Sequence, residues 1–262
     1  MSLLYTMYVK NFYDKVAKEY GGYGFSTNEP KYDSIYPGGN PEAIFKEKLL
    51  ELATHSTVAL DIGCGDGKFA FEIADQFSEI IGLDSSKELI AIAQQKMGNL
   101  NVKNMSFIFG DASKTPFEDQ SFDIIFNRRG PSFYTEYSRL LKHGGYYIEI
   151  GIGEQDAMEL KETFGRGQNF GTWDTPRLTI DKLEFEKQGL KPIFLENYIY
   201  NEQYLSKAEF ELFLRGVPIF EDFDTDKDKK YLDTYYKDHL EESRVKLGRH
   251  RVVYILIKPA NG

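Results

Sequence analysis

From Ser56 onward, short β-rich apolar runs alternate with stretches whose apolar residues recur at helical spacing, and this alternation leaves few architectures open. The runs are 57–62, 80–84, 105–109, 122–126 and 146–150. Strands that alternate with crossover helices run parallel, and the sheet they build is covered on both faces. Ser85 with Glu88 has the form of a capping box ahead of Leu89, Ile90, Ile92 and Ala93. Ser132, directly after Pro131, is placed to cap a helix carrying Tyr137, Leu140 and Leu141 that stops at Gly144 and Gly145.

Upstream of this core a Tyr-rich segment, 5–36, is expected to hold one helix around 11–19. A second follows, with Asn40 as N-cap, Pro41 in the first turn, and Ile44, Phe45, Leu49 and Leu50 on its buried face. Downstream, 193–200 and 252–257 read as two further strands. Between them Ser206 with Glu209 caps a helix bearing Phe210, Phe213 and Leu214, and 229–240 reads as another helix.

Length and charge narrow the function classes. A chain of 262 residues makes one large domain or two small ones and buries a core without staples. Lys and Arg number 32 against 41 Asp and Glu, a net charge of −9 that repels phosphate backbones, and no Lys/Arg-rich block offsets it. Nucleic acid is therefore disfavoured as a partner. A single cysteine, Cys64, forms no internal disulfide, and with four scattered histidines it supplies no thiolate zinc site, which points to a reducing compartment and no metal. The apolar runs are too short to cross a bilayer and the first five residues lack the features of a signal peptide, so the expectation is a soluble cytoplasmic protein without a membrane partner.

The segment carrying most chemistry is Val58-Ala59-Leu60-Asp61-Ile62-Gly63-Cys64-Gly65-Asp66-Gly67, a buried strand entering a glycine-rich turn and then a helix with Phe69, Phe71 and Ile73. Glycines here let a ligand press against the backbone and let the chain take positive φ. About twenty residues on, Asp84 closes the next strand, where a βαβ unit sets an acid against a ribose diol. The third glycine departs from Gly-x-Gly-x-x-Gly, so a dinucleotide fits less well than another nucleoside.

With its acid-x-Gly-x-Gly-x-Gly pattern the chain resembles the class I S-adenosylmethionine-dependent methyltransferases. The likeness continues through Asp84, the step Gly110-Asp111-Ala112, the strand Phe122-Asp123-Ile124-Ile125-Phe126, and Leu140-Leu141-Lys142-His143-Gly144-Gly145 before the fifth strand. Phe12 to Tyr20 looks like the entry helix of small-molecule methyltransferases of the ubiquinone-biosynthesis type. The resemblance implies a Rossmann-like α/β fold, a seven-stranded, mostly parallel sheet with helices on both faces and the last strand antiparallel. It implies an N-terminal helical cap over 1–55, a cofactor-binding core over 56–153, and a C-terminal part over 154–262 that completes the sheet and carries inserted helices and a lid.

The same resemblance assigns roles. Asp61, Gly63 and Gly65, with Cys64 between them, would line the amino-acid end of S-adenosylmethionine. Asp84, with Ser85 beside it, would take the ribose hydroxyls, and Asp111 and Ala112 would lie against adenine. A sulfonium cation is attracted to aromatic faces, making Tyr13 and Tyr20 candidate covers, with packing of the extension as the alternative. At the carboxyl edge of the fourth strand, Asn127 is a candidate cofactor contact, and Arg128 or Arg129 a holder of a cofactor or substrate carboxylate, the alternative being an ion pair with a surface acid. Glu149 completes the catalytic candidates. The reaction needs no dedicated nucleophile, because in-line methyl transfer is accelerated by positioning and desolvation.

The remaining features are blander. His143 sits before the fifth strand, away from the ligand edge, and reads as a turn residue; His239 and His250 read as surface residues. Residues 164–173, rich in Gly and aromatics and ending at Trp173, suit a substrate lid or a packed loop. Asp222, Asp224, Asp226 and Asp228 alternate as in a calcium loop, but Lys227 stands where glycine is needed and Asp233 where glutamate is needed, so these acids are read as favouring a helix N-terminus. The expected activity is methyl transfer from S-adenosylmethionine to a small molecule, releasing S-adenosylhomocysteine. An RNA-base methyltransferase, a non-catalytic cofactor-binding protein and a nicotinamide dehydrogenase are the rivals.

Overall fold

The computed structural model describes residues 3–22, 29–172 and 175–260, with side chains from residue 12 onward. Its strands are β1 (Tyr32–Ile35), β2 (Val58–Ile62), β3 (Glu79–Asp84), β4 (Met105–Phe109), β5 (Phe122–Arg128), β6 (Leu141–Ile152), β7 (Lys191–Tyr204), β8 (Leu240–Glu241) and β9 (Arg244–Ile257). The helices are α1 (Leu3–Tyr20), α2 (Pro41–Leu52), α3 (Lys68–Ile73), α4 (Lys87–Leu100), α5 (Tyr134–Leu140), α6 (Met158–Phe164), α7 (Arg177–Lys187), α8 (Lys207–Gly216) and α9 (Lys229–His239). The described chain falls into two compact units, 40–152 with 177–197 and 251–262, and 1–39 with 153–176 and 198–250.

The first unit holds the parallel sheet. Its strands stand in the order β6-β5-β2-β3-β4, all parallel, and β9 joins the β6 edge antiparallel with Arg251 opposite Ile152 and Ile257 opposite Tyr146. Along β2 the consecutive residues Ala59, Leu60, Asp61 and Ile62 are all buried. Successive strand residues point to opposite faces, so this sheet is covered on both sides. On one face Leu60, Ile62, Ile125, Tyr147 and Tyr254 join Tyr134, Tyr137 and Phe185 in a single apolar cluster. On the other, Phe126 meets Phe69 at 6.0 Å and Phe77 at 6.5 Å, with Phe45 of α2 beyond Phe69. Truncating a side chain such as Ile125 in this layer leaves a cavity costing about 2–5 kcal/mol.

Among the described residues the strand count is nine and not the seven expected, because β1 pairs antiparallel with β7 and the two-residue β8 with β9, short edge pieces whose alternation is too brief to register in a sequence. Several starts also shift. Ser86, not Ser85, caps α4, accepting the Leu89 N–H at 3.2 Å. Ser132 does not cap α5, whose N-cap is Phe133 without a side-chain bond, because its hydroxyl is committed elsewhere. Gly144 does not end a helix: α5 stops at Leu140, and Gly144 and His143 lie in the irregular opening of β6, His143 facing the Pro259 carbonyl. Asn40 and Ser206 cap as expected, Asn40 accepting from Glu42 and Ala43 and Ser206 from Glu209.

The second unit packs α6, α8 and α9 around Phe164, Tyr204, Phe210, Phe220 and Tyr235. His250 lies here and is buried, 2% exposed, and His239 stacks on Tyr235 at 4.0 Å, so neither is the surface residue expected. The acid run is anchored by Asp228, which receives Arg166, while Asp224 accepts the Asp226 and Lys227 N–H groups. Among the described residues no cluster of potential ligands is placed to hold a metal, and no helix is long and apolar enough to cross a membrane.

Candidate functional site

The candidate site is built at the carboxyl edge of β2, β3 and β5, where open α/β sheets bind their ligands. Past β2 the chain turns through Gly63 (φ 69°), Gly65 (φ 56°) and Gly67 (φ 76°), three left-handed residues within five positions. Gly63 is exposed there and presents bare peptide, whereas Gly65 is buried. The third serves packing, since a Cβ at Gly67 would stand 2.6 Å from Phe107. Asp84 ties this turn to β3: one carboxylate oxygen accepts the Gly65 N–H at 2.9 Å and the other the Ser86 N–H at 2.8 Å. Asp66, buried, caps Lys68 and receives Lys96 at 2.6 Å, a contact the spacing alone did not suggest.

Asp61 is 3% exposed on β2. Burial pushes its carboxyl up to about 7, Asp84 adds to the effect, and Arg128 opposes it. Burial pushes the Cys64 thiol well above its usual range, and Asp61 and Asp84 add to the effect. Asp111 is exposed and accepts from Ser113 at 2.8 Å, and Ala112 beside it is half-buried. Ser85 is exposed between Asp84 and the cap at Ser86.

Arg128 and Arg129 converge on Glu42 in the first turn of α2, a carboxylate that sequence reasoning missed because it is remote in the chain. Arg128 donates to one Glu42 oxygen at 2.9 Å and lies 4.3 Å over the Phe69 ring, and Arg129, at φ 63°, donates to the other oxygen. Burial works to raise the Glu42 carboxyl, but Arg129 and Arg128 outweigh it and hold it down at about 2. The ion-pair alternative thus describes both arginines in this structure.

Asn127 is fully buried. Its amide donates to the Pro131 carbonyl at 2.7 Å and to the Tyr147 hydroxyl at 3.2 Å, and its oxygen accepts the Gly130 N–H at 2.7 Å. Glu149, also fully buried, accepts from Ser132 at 2.9 Å, from Tyr147 and Tyr254 at 2.6 Å each, and from the Arg177 guanidinium. These two side chains are committed to protein partners, and no motif in the sequence marked Tyr147, Tyr254 or Arg177 as theirs.

Tyr20 belongs to the second unit, half-buried at the end of α1. The loop after α6 is tied down as far as it is described: Arg166 bonds Asp222 at 2.6 Å and Asp228 at 2.9 Å, and Gln168 donates its N–H to Ile219 at 2.8 Å. Trp173, the aromatic end of the expected lid, lies outside the described residues.

The chain resembles known proteins in sequence and in fold. The family model described as "Methyltransferase domain" matches residues 53–194. The chain is 30% identical over 116 residues to a demethylmenaquinone methyltransferase of Oceanobacillus iheyensis, covering 40% of this chain and 49% of that protein. It is 30% identical over 144 residues to a Bacillus subtilis protein provisionally described as a 23S rRNA (guanine-N(1)-)-methyltransferase, YxjB, covering 51% and 47%. The chain spans about half the length of the curated relatives it matches. The crystal structure of YcgJ from Bacillus subtilis shares the fold, with a TM-score of 0.62 at 20% identity over 84% of this chain and all of that one.

Proposed function

The chain belongs to the methyltransferase-domain family, the class I S-adenosylmethionine-dependent group its motifs resemble, and from that premise we propose that it transfers a methyl group from S-adenosylmethionine to a small-molecule acceptor. The observation that carries the reading is the Gly63–Gly65 turn, left-handed at both glycines and bonded through Gly65 to Asp84.

The residues fit such a ligand. Gly63 and Gly65 offer backbone free of Cβ atoms. Asp61, buried and held near neutrality, gains from a cation brought beside it, and the ammonium of an amino-acid moiety is one. Asp84 closes β3 at the carboxyl edge of the sheet, where a βαβ unit sets an acid against a ribose diol. When bound, S-adenosylmethionine supplies an electrophilic methyl on a sulfonium. Asp61, Gly63 and Gly65, with Cys64 between them, are assigned its amino-acid end, Asp84 and Ser85 its ribose, and Asp111 and Ala112 its adenine. The protein's part is to orient and to exclude water, with no side chain here required as a nucleophile.

A small acceptor is supported by the demethylmenaquinone methyltransferase likeness and by the net charge of −9. Release of S-adenosylhomocysteine in a screen of small hydroxyl, amine and thiol acceptors tests it. Turnover of RNA alone, with affinity falling steeply with salt, would replace it with the RNA reading that the YxjB likeness suggests.

A further inference from the structure

The loop after β5 is packed on the glycine turn, with no space for a side chain at Gly130. A Cβ at Gly63 would meet the Gly130 Cα at 3.5 Å, and a Cβ at Gly130 would stand 3.3 Å from the Ile62 carbonyl and 2.7 Å from the Asn127 side-chain oxygen. That loop is in turn held from beneath at three successive residues. Gly130 and Pro131 are bonded to Asn127, Pro131 also accepts the Tyr137 hydroxyl at 2.7 Å, and Ser132 donates to Glu149. Asn127 and Glu149 are joined through one hydroxyl, because Tyr147 accepts from Asn127 while donating to Glu149.

Asn127, Tyr137, Tyr147 and Glu149 are buried, and their polar groups are bonded to one another and to this half-buried loop. Removing one hydroxyl leaves a buried donor or acceptor unmatched, and relief comes from moving the loop. The Ile62–Gly63 peptide, packed against that loop, moves with it, since close-packed contacts transmit displacement. From these contacts we propose that Tyr147 and Glu149 are positioning residues for the ligand, acting through Asn127 and Gly130 on the peptide of Gly63, and so set affinity for the amino-acid end of the nucleoside. This rests on the functional reading above. It also extends it, because Glu149 is bonded to Arg177 of α7, so a helix remote in sequence from the glycine turn contributes to the site.

The test compares binding of S-adenosylhomocysteine with binding of adenosine, which lacks the amino-acid end, by calorimetry on the full chain. Tyr147→Phe is expected to weaken S-adenosylhomocysteine by about tenfold while adenosine changes by less than about twofold. Gly130→Ala, which forces a Cβ toward the Asn127 oxygen, is expected to show the same split by an independent route. Tyr134→Phe removes a buried hydroxyl bonded to Tyr254 at 2.7 Å in the same core but has no bond to Asn127, and is expected to lower the melting temperature without altering the ratio of the two affinities. Equal losses for both ligands in Tyr147→Phe, or a ratio shift in Tyr134→Phe as large as in Tyr147→Phe, overturn the proposal and leave the cofactor reading standing. Wild-type protein that binds neither compound overturns the cofactor reading itself, and the proposal with it.

Discussion

The Asp84 carboxylate reaches back across 19 residues to accept the Gly65 N–H at 2.9 Å, so the acid assigned to the ribose also fixes the turn assigned to the amino acid. One side chain thereby bears on both proposed ends of the ligand.

Asp84→Ala is therefore expected to weaken binding of S-adenosylmethionine by about 1–3 kcal/mol and to lower stability as well, because the Gly65 and Ser86 amides lose their acceptor. Calorimetric titration with a parallel thermal melt reads both effects. A melt that moves while affinity does not would show that Asp84 serves only the turn.

Asp61 gives a pH signature. Its folded value of about 7 lies above its ordinary one, so the stability it contributes is full below that ordinary value and is lost as pH rises toward 7. A bound cation favours the carboxylate. Cofactor binding below pH 7 should release a proton, with affinity rising by up to about tenfold per pH unit toward 7 and flat above it. Titrations in buffers of different ionisation enthalpy count that proton, and Asp61→Asn should abolish the release and raise the melting temperature at pH 8. Affinity independent of pH between 5 and 8 in the wild type would remove Asp61 from the site.

Glu42 behaves in the opposite sense. Its carboxyl, held at about 2, contributes stability that is present above the usual carboxylate range and is lost as pH falls from about 4.5 toward 2. Glu42→Gln should cost roughly 1–2 kcal/mol at pH 7 and make acid unfolding less steep in that window. Acid titration followed by circular dichroism reads it, and superimposable wild-type and variant curves would contradict the clamp.

The first and third glycines of the turn should separate function from packing. Gly67→Ala drives a Cβ into Phe107 at a φ of 76° and is expected to destabilise the fold by about 1–3 kcal/mol. Gly63→Ala has space, its Cβ meeting Gly130 at an ordinary 3.5 Å, so its smaller cost of about 1–2 kcal/mol in strain should be accompanied by loss of ligand binding. Chemical denaturation and ligand titration of the two variants measure the contrast; ligand binding retained in Gly63→Ala would contradict it.

How much of this was legible in the sequence depended on whether a residue's partner was near in the chain. The five parallel strands and the glycine turn were legible, because β-branched runs, helical spacing and the turn's glycines are local signals. Asn40 and Ser206 caps were legible for the same reason. What was not legible came from distance: Glu42 meets Arg128 across 86 residues, Glu149 meets Tyr254 across 105, and neither spacing leaves a mark on the sequence. Ser132 shows the limit well. Its position after proline resembles a cap, yet a buried carboxylate 17 residues on takes its hydroxyl. His250 looked like an isolated surface histidine because nothing local announces that β9 begins at Arg244, eight residues before the apolar run, and carries it into the interior.

Direct titration of the purified chain with S-adenosylmethionine tests the central claim most plainly. Saturable binding of one nucleoside per chain, competed by S-adenosylhomocysteine and weakened in Asp84→Ala, is the predicted result. Titration curves that fail to saturate, or that are unchanged in Asp84→Ala and Gly63→Ala alike, would contradict the account.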